Sequence, residues 1–376
     1  MHLQKEHHPV TVEHDRFNKI ERIPKPHEMR ELYPLSPEGR EVTLKARQAL
    51  LDIMDTTNPH PRKLIVIVGP CSLDDLVLES GIHAVLEYAN NLVTFLRADP
   101  LLTTNLEIVM RPNEDKTRSK LGWRGLGHSN PQKAYELMTA IVNTGLPIAT
   151  EVMSPRPLQY YNDMLAMAWG GARNVADNNM RDAMAAFSHD EQNGKPIPLF
   201  VKNGTDGNLT DALNAREYIH SPNAKKAQRE LGITFHNAAT GNYEQHLRLR
   251  GNQHVGILMR GGSTVPTPEA YEAKVREFAE ASATHGFPLG LDASHGGAEA
   301  HGGKHEIGER ECLNHILELR ERGQLQALRA IMFESHLYEG GKNGAGTSQT
   351  DRSIGIHETF DILMQLAKQQ QEMHAM

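Results

Sequence analysis

Eight polar or reactive residues stand at or just beyond the ends of short apolar runs. They are Cys71 after LIVIVGP, Arg111 after LEIVM, Glu151 in PIATEV, Arg173 after LAMAWGGA, Lys202 in IPLFVK, Arg260 after HVGILM, His295 after FPLGLDAS and Glu334 in ALRAIMFES. By charge they divide into two chemistries. Arg111, Arg173, Lys202 and Arg260 are cations that repel one another in a low-dielectric pocket unless an anion of comparable charge is bound among them. A small ligand carrying phosphate and carboxylate answers that need, because guanidinium forks match both groups. Cys71, His295 and Glu334 supply sulfur, nitrogen and oxygen donors, and Asp351 beyond the last run offers a fourth. That mixture suits a borderline divalent ion such as Mn, Fe, Co or Zn better than Mg or Ca.

Each residue taken singly has a plainer reading. A strand-end arginine usually forms a salt bridge or is solvated, and a histidine there is often only hydrogen-bonded. Cys71 alone could be a nucleophile, a metal ligand or a small buried residue. What weighs against chance is that every run ends the same way. A further basic loop, EDKTRSKLGWRG at 114–125, carries Lys116, Arg118 and Lys120. It reads either as a solvated charge run or as the grip for a second phosphate.

The elements that must position these residues follow from periodicity. LIVIVG runs without alternation and stops at Gly-Pro, the pattern of a strand buried on both faces in a parallel sheet. Between the apolar runs, segments such as Leu76 to Leu96 and PQKAYELMTAIVN have helical spacing. Eight such strands alternating with helices predict an α/β fold, the (β/α)₈ TIM barrel, whose strand ends all open on one face. A doubly wound sheet would want G-x-G-x-x-G after the first strand, and Gly-Pro-Cys-Ser is not that turn. The segment 233–251, ITFHNAATGNYEQHLRLRG, breaks the repeat and predicts an extra β-hairpin inserted before strand six. Residues 1–45 are polar, with prolines at 24, 26, 34 and 37, and read as an N-terminal arm with an oligomeric or regulatory role, the barrel occupying 46–376. An arm that cannot fold alone points to a homo-oligomer, a dimer or tetramer.

Composition removes several function classes. The 376 residues carry a formal net charge of −7, so no global basic field attracts nucleic acid or a membrane surface, and any anion site is local. Two cysteines, Cys71 and Cys312, among 15 methionines suit a reducing cytoplasmic setting better than a disulfide scaffold. No apolar run approaches the length of a membrane span.

GPCS (69–72), Met110-Arg111, GWRGL (122–126), GAR (171–173), FVKNGTDG (200–207), LMRGG (258–262), DASH (292–295), ESHLYEG (334–340) and TDRSIG (350–355) occur in this order. Together they resemble the type I 3-deoxy-D-arabino-heptulosonate 7-phosphate (DAHP) synthases, from about residue 40 to 365. The resemblance implies a metal-dependent (β/α)₈ enzyme that condenses phosphoenolpyruvate with the aldose phosphate erythrose 4-phosphate, the entry step of the shikimate pathway. It places the metal ligands at Cys71, His295, Glu334 and Asp351. It puts the phosphoenolpyruvate site at Arg111, Lys116, Glu151, Ala172, Arg173, Lys202 and Arg260, and the aldehyde's phosphate on Arg118 and Ser119. Catalysis falls to Cys71 and His295 through the metal, with Lys116 handling a proton. An octulosonate-forming relative would share this cluster, but the arm and the GWRGL loop favour the heptulosonate enzyme. A barrel that binds without turnover is disfavoured by the intact ligand set, which has no stability reason to stay together.

The sequence also departs from that family. Its basic loop reads KTRS where Lys-Pro-Arg-Thr is usual, so the proline's fixed φ is lost where the second phosphate is held. After Arg173 comes NVADNN in place of a Thr and Glu-Ser pattern, and after His295 the chain is unusually rich in glycine. These changes predict an unaltered first substrate and an altered preference or affinity for the aldehyde, as in a paralogue serving specialised metabolism.

Overall fold

A computed structural model describes residues 24–71, 79–112, 131–152, 155–190, 194–221, 230–234, 244–248, 251–341, 344–348 and 351–375. Its first strand, β1 (Leu64–Gly69), is buried along its whole length. Leu64, Val66 and Val68 pack with Tyr88 and Leu92 in one core cluster, whereas Ile65 and Ile67 join a second with Trp169, Phe200, Leu258 and Met332. Period-two alternation is thus present inside a run that reads as uniformly apolar, because both faces of this strand are covered.

The strands that follow are β2 (Leu106–Met110), β3 (Ile148–Val152), β4 (Leu165–Gly170), β5 (Leu199–Lys202), β6 (Glu230–Thr234), β7 (Glu244–Arg248), β8 (Val255–Met259), β9 (Leu289–Asp292), β10 (Leu328–His336) and β11 (Ile354–Gly355). The order β1-β2-β3-β4-β5-β8-β9-β10 closes on itself through parallel pairing of β1 with β10, in register from Ile65↔Ala330 to Gly69↔Glu334. This is the (β/α)₈ barrel expected from the sequence. β11 lies parallel to the tip of β10. β6 and β7 form a separate antiparallel ladder from Glu230↔Arg248 to Thr234↔Glu244. The hairpin before the sixth barrel strand is therefore present, its first strand starting three residues ahead of the expected position.

The helices are α1 (Pro26–Leu32), α2 (Pro37–Met54), α3 (Glu79–Ala98), α4 (Pro100–Asn105), α5 (Pro131–Asn143), α6 (Pro155–Tyr161), α7 (Asn178–Phe187), α8 (Leu209–His220), α9 (Pro268–His285), α10 (Gly296–Ala300), α11 (Glu306–Glu321) and α12 (Ile356–Ala375). None of the described helices is long and apolar enough to cross a membrane.

α2 begins well before the helix expected from Thr43 and runs across the 45/46 boundary drawn from the sequence. Its start carries ordinary signals: Ser36 Oγ accepts from Gly39 N at 2.9 Å, and Pro37 occupies the first helical position, where no donor is needed. Ala46, Leu50, Ile53 and Met54 belong to the inner core cluster, so α2 closes the barrel at the end where the strands begin. Burying Leu50, Ile53 or Met54 there stabilises the fold by roughly 1.5–3 kcal/mol each. Among the described residues no other helix contributes to that inner cluster, so the opposite end, where the strands finish, is termed the open end.

Candidate metal and anion centre

The parallel register brings the expected donors to the open end. Glu334 lies level with Gly69, two residues before Cys71. Asp292 pairs with Met332, so the turn carrying His295 leaves β9 beside the same stretch of β10. Cys71, His295, Glu334 and Asp351 present ligand atoms that all lie within 4.8 Å of one another. A sulfur, an imidazole nitrogen and two carboxylates at that spacing can hold a divalent ion. The fit is supported by Glu334 Oε1, a buried carboxylate oxygen that has Arg111 Nη1 and His295 Nε2 at ion-pair distance but no hydrogen bond, and so keeps lone-pair capacity for an ion.

His295 is held in position by its backbone and by Asp292. Its φ of 57° makes it the one non-glycine residue with positive φ among those described, a conformation that costs energy for a residue with a Cβ. Nδ1 lies 3.1 Å from Asp292 Oδ2, while Nε2 lies 3.5 Å from Glu334 Oε1. A carboxylate on one ring nitrogen fixes the tautomer and leaves the other to bind metal. Asp292 is completely buried; burial alone would push its carboxyl upward, but Lys202 and His295 hold it well below the usual carboxylate range.

The cations are arranged less simply than their charge count implies. Arg111 Nη1 stands 3.2 Å from Glu334 Oε1, and Lys202 Nζ donates to Asp292 Oδ2 at 2.6 Å. Two of the four cations are thus balanced inside the protein, which corrects the expectation that only a bound anion relieves them. Burial opposes the Arg111 charge, yet Glu334, Cys71, Asp292 and Glu151 together raise its pKa. Arg260 is buried and Arg173 exposed, and among the described residues neither has a carboxylate within ion-pair distance. Trp169 lies under the mouth, its ring centroid 5.5 Å from Arg111 Cζ and 6.0 Å from Lys202 Nζ. Its π face favours both cations.

Close backbone packing completes the rim. Asn203 Oδ1 accepts from Arg260 N at 2.8 Å while Nδ2 donates to Gly261 O at 2.9 Å, stapling the ends of β5 and β8. Gly261 adopts φ 71°, and a Cβ there would lie 2.6 Å from the Gly296 carbonyl carbon. The glycines of LMRGG and DASHGG therefore let the turns carrying Arg260 and His295 touch. Glu151 lies beneath the turn of Ala172 and Arg173; a Cβ on Gly171 would fall 1.8 Å from Glu151 Oε1.

Cys71, Arg111, Glu151, Ala172, Arg173, Lys202, Arg260, His295, Glu334 and Asp351 are thus carried to the open end by the strand ends or the turns that follow them. Lys116, Arg118 and Ser119 lie outside the described residues. Sequence reasoning missed Asp292, Trp169 and Asn203 as site residues. Asp292 had a signal in its three-residue spacing from His295, and Trp169 in being the one aromatic residue of β4. Asn203 had none beyond adjacency to Lys202.

A sequence profile of the DAHP synthetase I family matches residues 42–372. Phospho-2-dehydro-3-deoxyheptonate aldolase of Corynebacterium glutamicum is 30% identical over 98% of this chain and 98% of its own length. The Phe-sensitive enzyme of that name from Escherichia coli K12 is 28% identical over 94% and 95%. The solved structure of phospho-2-dehydro-3-deoxyheptonate aldolase from Francisella tularensis superposes with a TM-score of 0.75 at 22% identity, covering 94% of this chain and 98% of that one.

Proposed function

Because this chain belongs to the DAHP synthetase I family, we propose that it condenses phosphoenolpyruvate with erythrose 4-phosphate to give DAHP and inorganic phosphate, the first step of the shikimate pathway. C3 of phosphoenolpyruvate forms the new bond to the aldehyde carbon, water adds at C2, and phosphate leaves with cleavage of its bond to carbon. The observation that carries this reading is the convergence of Cys71, His295, Glu334 and Asp351 within 4.8 Å beside a buried arginine and lysine. A divalent ion of the Mn, Fe, Co or Zn type held by these four would supply Lewis-acid polarisation of the aldehyde oxygen.

The protein's own groups do the rest of the positioning. Arg173 and Arg260, without carboxylate partners, take the phosphate and carboxylate of phosphoenolpyruvate, and Arg111 and Lys202 add donors already oriented by Glu334 and Asp292. Preorganised donors of this kind need no rearrangement as charge shifts to the departing phosphate. Glu151 and Ala172 line the same pocket, Lys116 handles a proton, and Arg118 with Ser119 holds the phosphate of the aldehyde.

Loss of phosphoenolpyruvate absorbance with erythrose 4-phosphate and Mn tests the reading. Wild type turns over, a chelator stops it, and Cys71→Ala needs far more metal. Full activity of Cys71→Ala at limiting metal removes Cys71 from the ligand set, and indifference of the wild type to metal and chelator favours a binding barrel instead.

The altered KTRS and NVADNN stretches favour a changed acceptor preference, as in a specialised paralogue. A panel of aldose phosphates decides this, and fastest turnover with erythrose 4-phosphate removes the reason for it. The arm we read as a subunit contact of a homodimer or homotetramer, measurable by sedimentation.

A further inference from the structure

His295 and Glu334 reach the centre from different strands, and His295 sits three residues past the end of β9, where the barrel's hydrogen bonding no longer holds it. Something must set their mutual distance. Directly behind both lies Glu309, in the first turn of α11 and only 2% exposed. Its Oε1 accepts from Ser294 Oγ, next to His295, and from the backbone N of Glu334 at 2.5 Å. One oxygen atom thus joins the two segments that carry the ligands. Among the described residues no lysine, arginine or histidine pairs with it, so a counter-ion does not explain its burial. The approach of α11 is itself enforced, since a Cβ on Gly308 would lie 2.1 Å from Gly303 O and 2.7 Å from Ala298 O. Ser294 is fixed from its other side by donation of its backbone N to Asp292 Oδ1 at 3.1 Å.

We propose that Glu309 is a positioning residue of the metal centre, its carboxyl oxygen setting the spacing of His295 and Glu334 through Ser294 Oγ–H and the Glu334 N–H. This rests on the metal reading above. Partners behind metal ligands govern affinity because they hold the donors at coordinating distance, and their loss typically weakens binding by about 10–100-fold.

Co(II) titration of metal-free protein, followed by the thiolate-to-cobalt absorption of Cys71, reads this without turnover. Glu309→Leu, which keeps the bulk and removes the acceptor, weakens cobalt binding by about 10–100-fold. Glu309→Gln, which keeps an acceptor oxygen, stays within about threefold of wild type, and Ser294→Ala loses severalfold. Equal affinity for Glu309→Leu and wild type overturns the inference, as does Glu309→Gln binding as poorly as Glu309→Leu. If Glu309→Leu does not fold, unchanged cobalt affinity in Ser294→Ala overturns it instead. A wild type giving no thiolate–cobalt band, with Cys71→Ser as the blank, overturns the metal reading and this inference with it.

Discussion

Each end of the barrel buries an arginine beside a carboxylate, and the two pairs are completed differently. At the closed end Arg47 of α2 gives its Nε to Leu165 O at 2.7 Å and its other donors to Asp190 and to Asn162 O. Asp190 takes a second arginine, Arg40, at 2.8 Å. At the open end Arg111 faces Glu334 at 3.2 Å, yet Arg111 Nε, Arg111 Nη1 and Glu334 Oε1 all lack a hydrogen-bond partner. Both pairs are equally dry. Burial therefore does not distinguish these two pairs; their hydrogen bonding does, since the Arg47 guanidinium is fully engaged and the Arg111–Glu334 pair keeps unfilled capacity. The electrostatics agree. Burial lowers the Arg47 pKa and Asp190 only partly offsets it, whereas the Arg111 pKa is raised in spite of burial by four surrounding anion-forming groups.

The comparison predicts that substitutions at the open end cost turnover and those at the closed end cost stability. On the proposed metal reading, Glu334→Gln should lower kcat/KM by about 100-fold or more, while the thermal midpoint stays within a few degrees of wild type by calorimetry. Arg47→Met should do the reverse. Chemical denaturation should show a loss of about 3 kcal/mol from an uncompensated buried charge, with kcat/KM per folded molecule within about threefold of wild type. If Arg47→Met instead abolished turnover in folded protein, the division between the two ends would fail. Arg111→Lys keeps the charge but loses the planar fork, and a fall in kcat/KM on the order of 30-fold should follow, read by phosphate release.

The smallest effect concerns pH. His301 Nδ1 lies 2.8 Å from Gly297 O and can only donate there, so the neutral ring offers Nε2 as acceptor to His315 Nδ1, also at 2.8 Å. Burial, the largest cause, lowers the His301 pKa below its ordinary value, and His315 lowers it further. The unfolded chain then binds this proton more readily than the folded one. Stability is fully present above the unfolded pKa of about 6.5 and is lost as pH falls from there through the folded value. His301→Gln should show a smaller drop in melting temperature between pH 7.5 and 5.5 than wild type. An equal drop assigns the acid sensitivity to other groups.

Much of this was legible because its causes are local. Strand-length apolar runs, their Gly-Pro stops and the helical spacing between them are properties of short windows, and they determined the eight-strand order and which residues stand at the strand ends. Donor chemistry did the same for the metal reading, since sulfur, imidazole and carboxylate are properties of Cys71, His295, Glu334 and Asp351 wherever they lie. Even the start of α2 is written in Ser36 and Pro37, among arm prolines that by themselves argue against a helix. Closure of the barrel decided the rest. Lys202 meets Asp292 across 90 residues of chain, so no window could show that this cation is balanced internally. That α2 plugs one end, that Trp169 lies beneath the cations and that Glu309 ties two ligand segments together follow only when β1 pairs with β10. The sequence by itself determined which groups are available; the closed sheet decided which are neutralised, which are left unfilled and at what distance, because those depend on contacts between residues far apart in the chain.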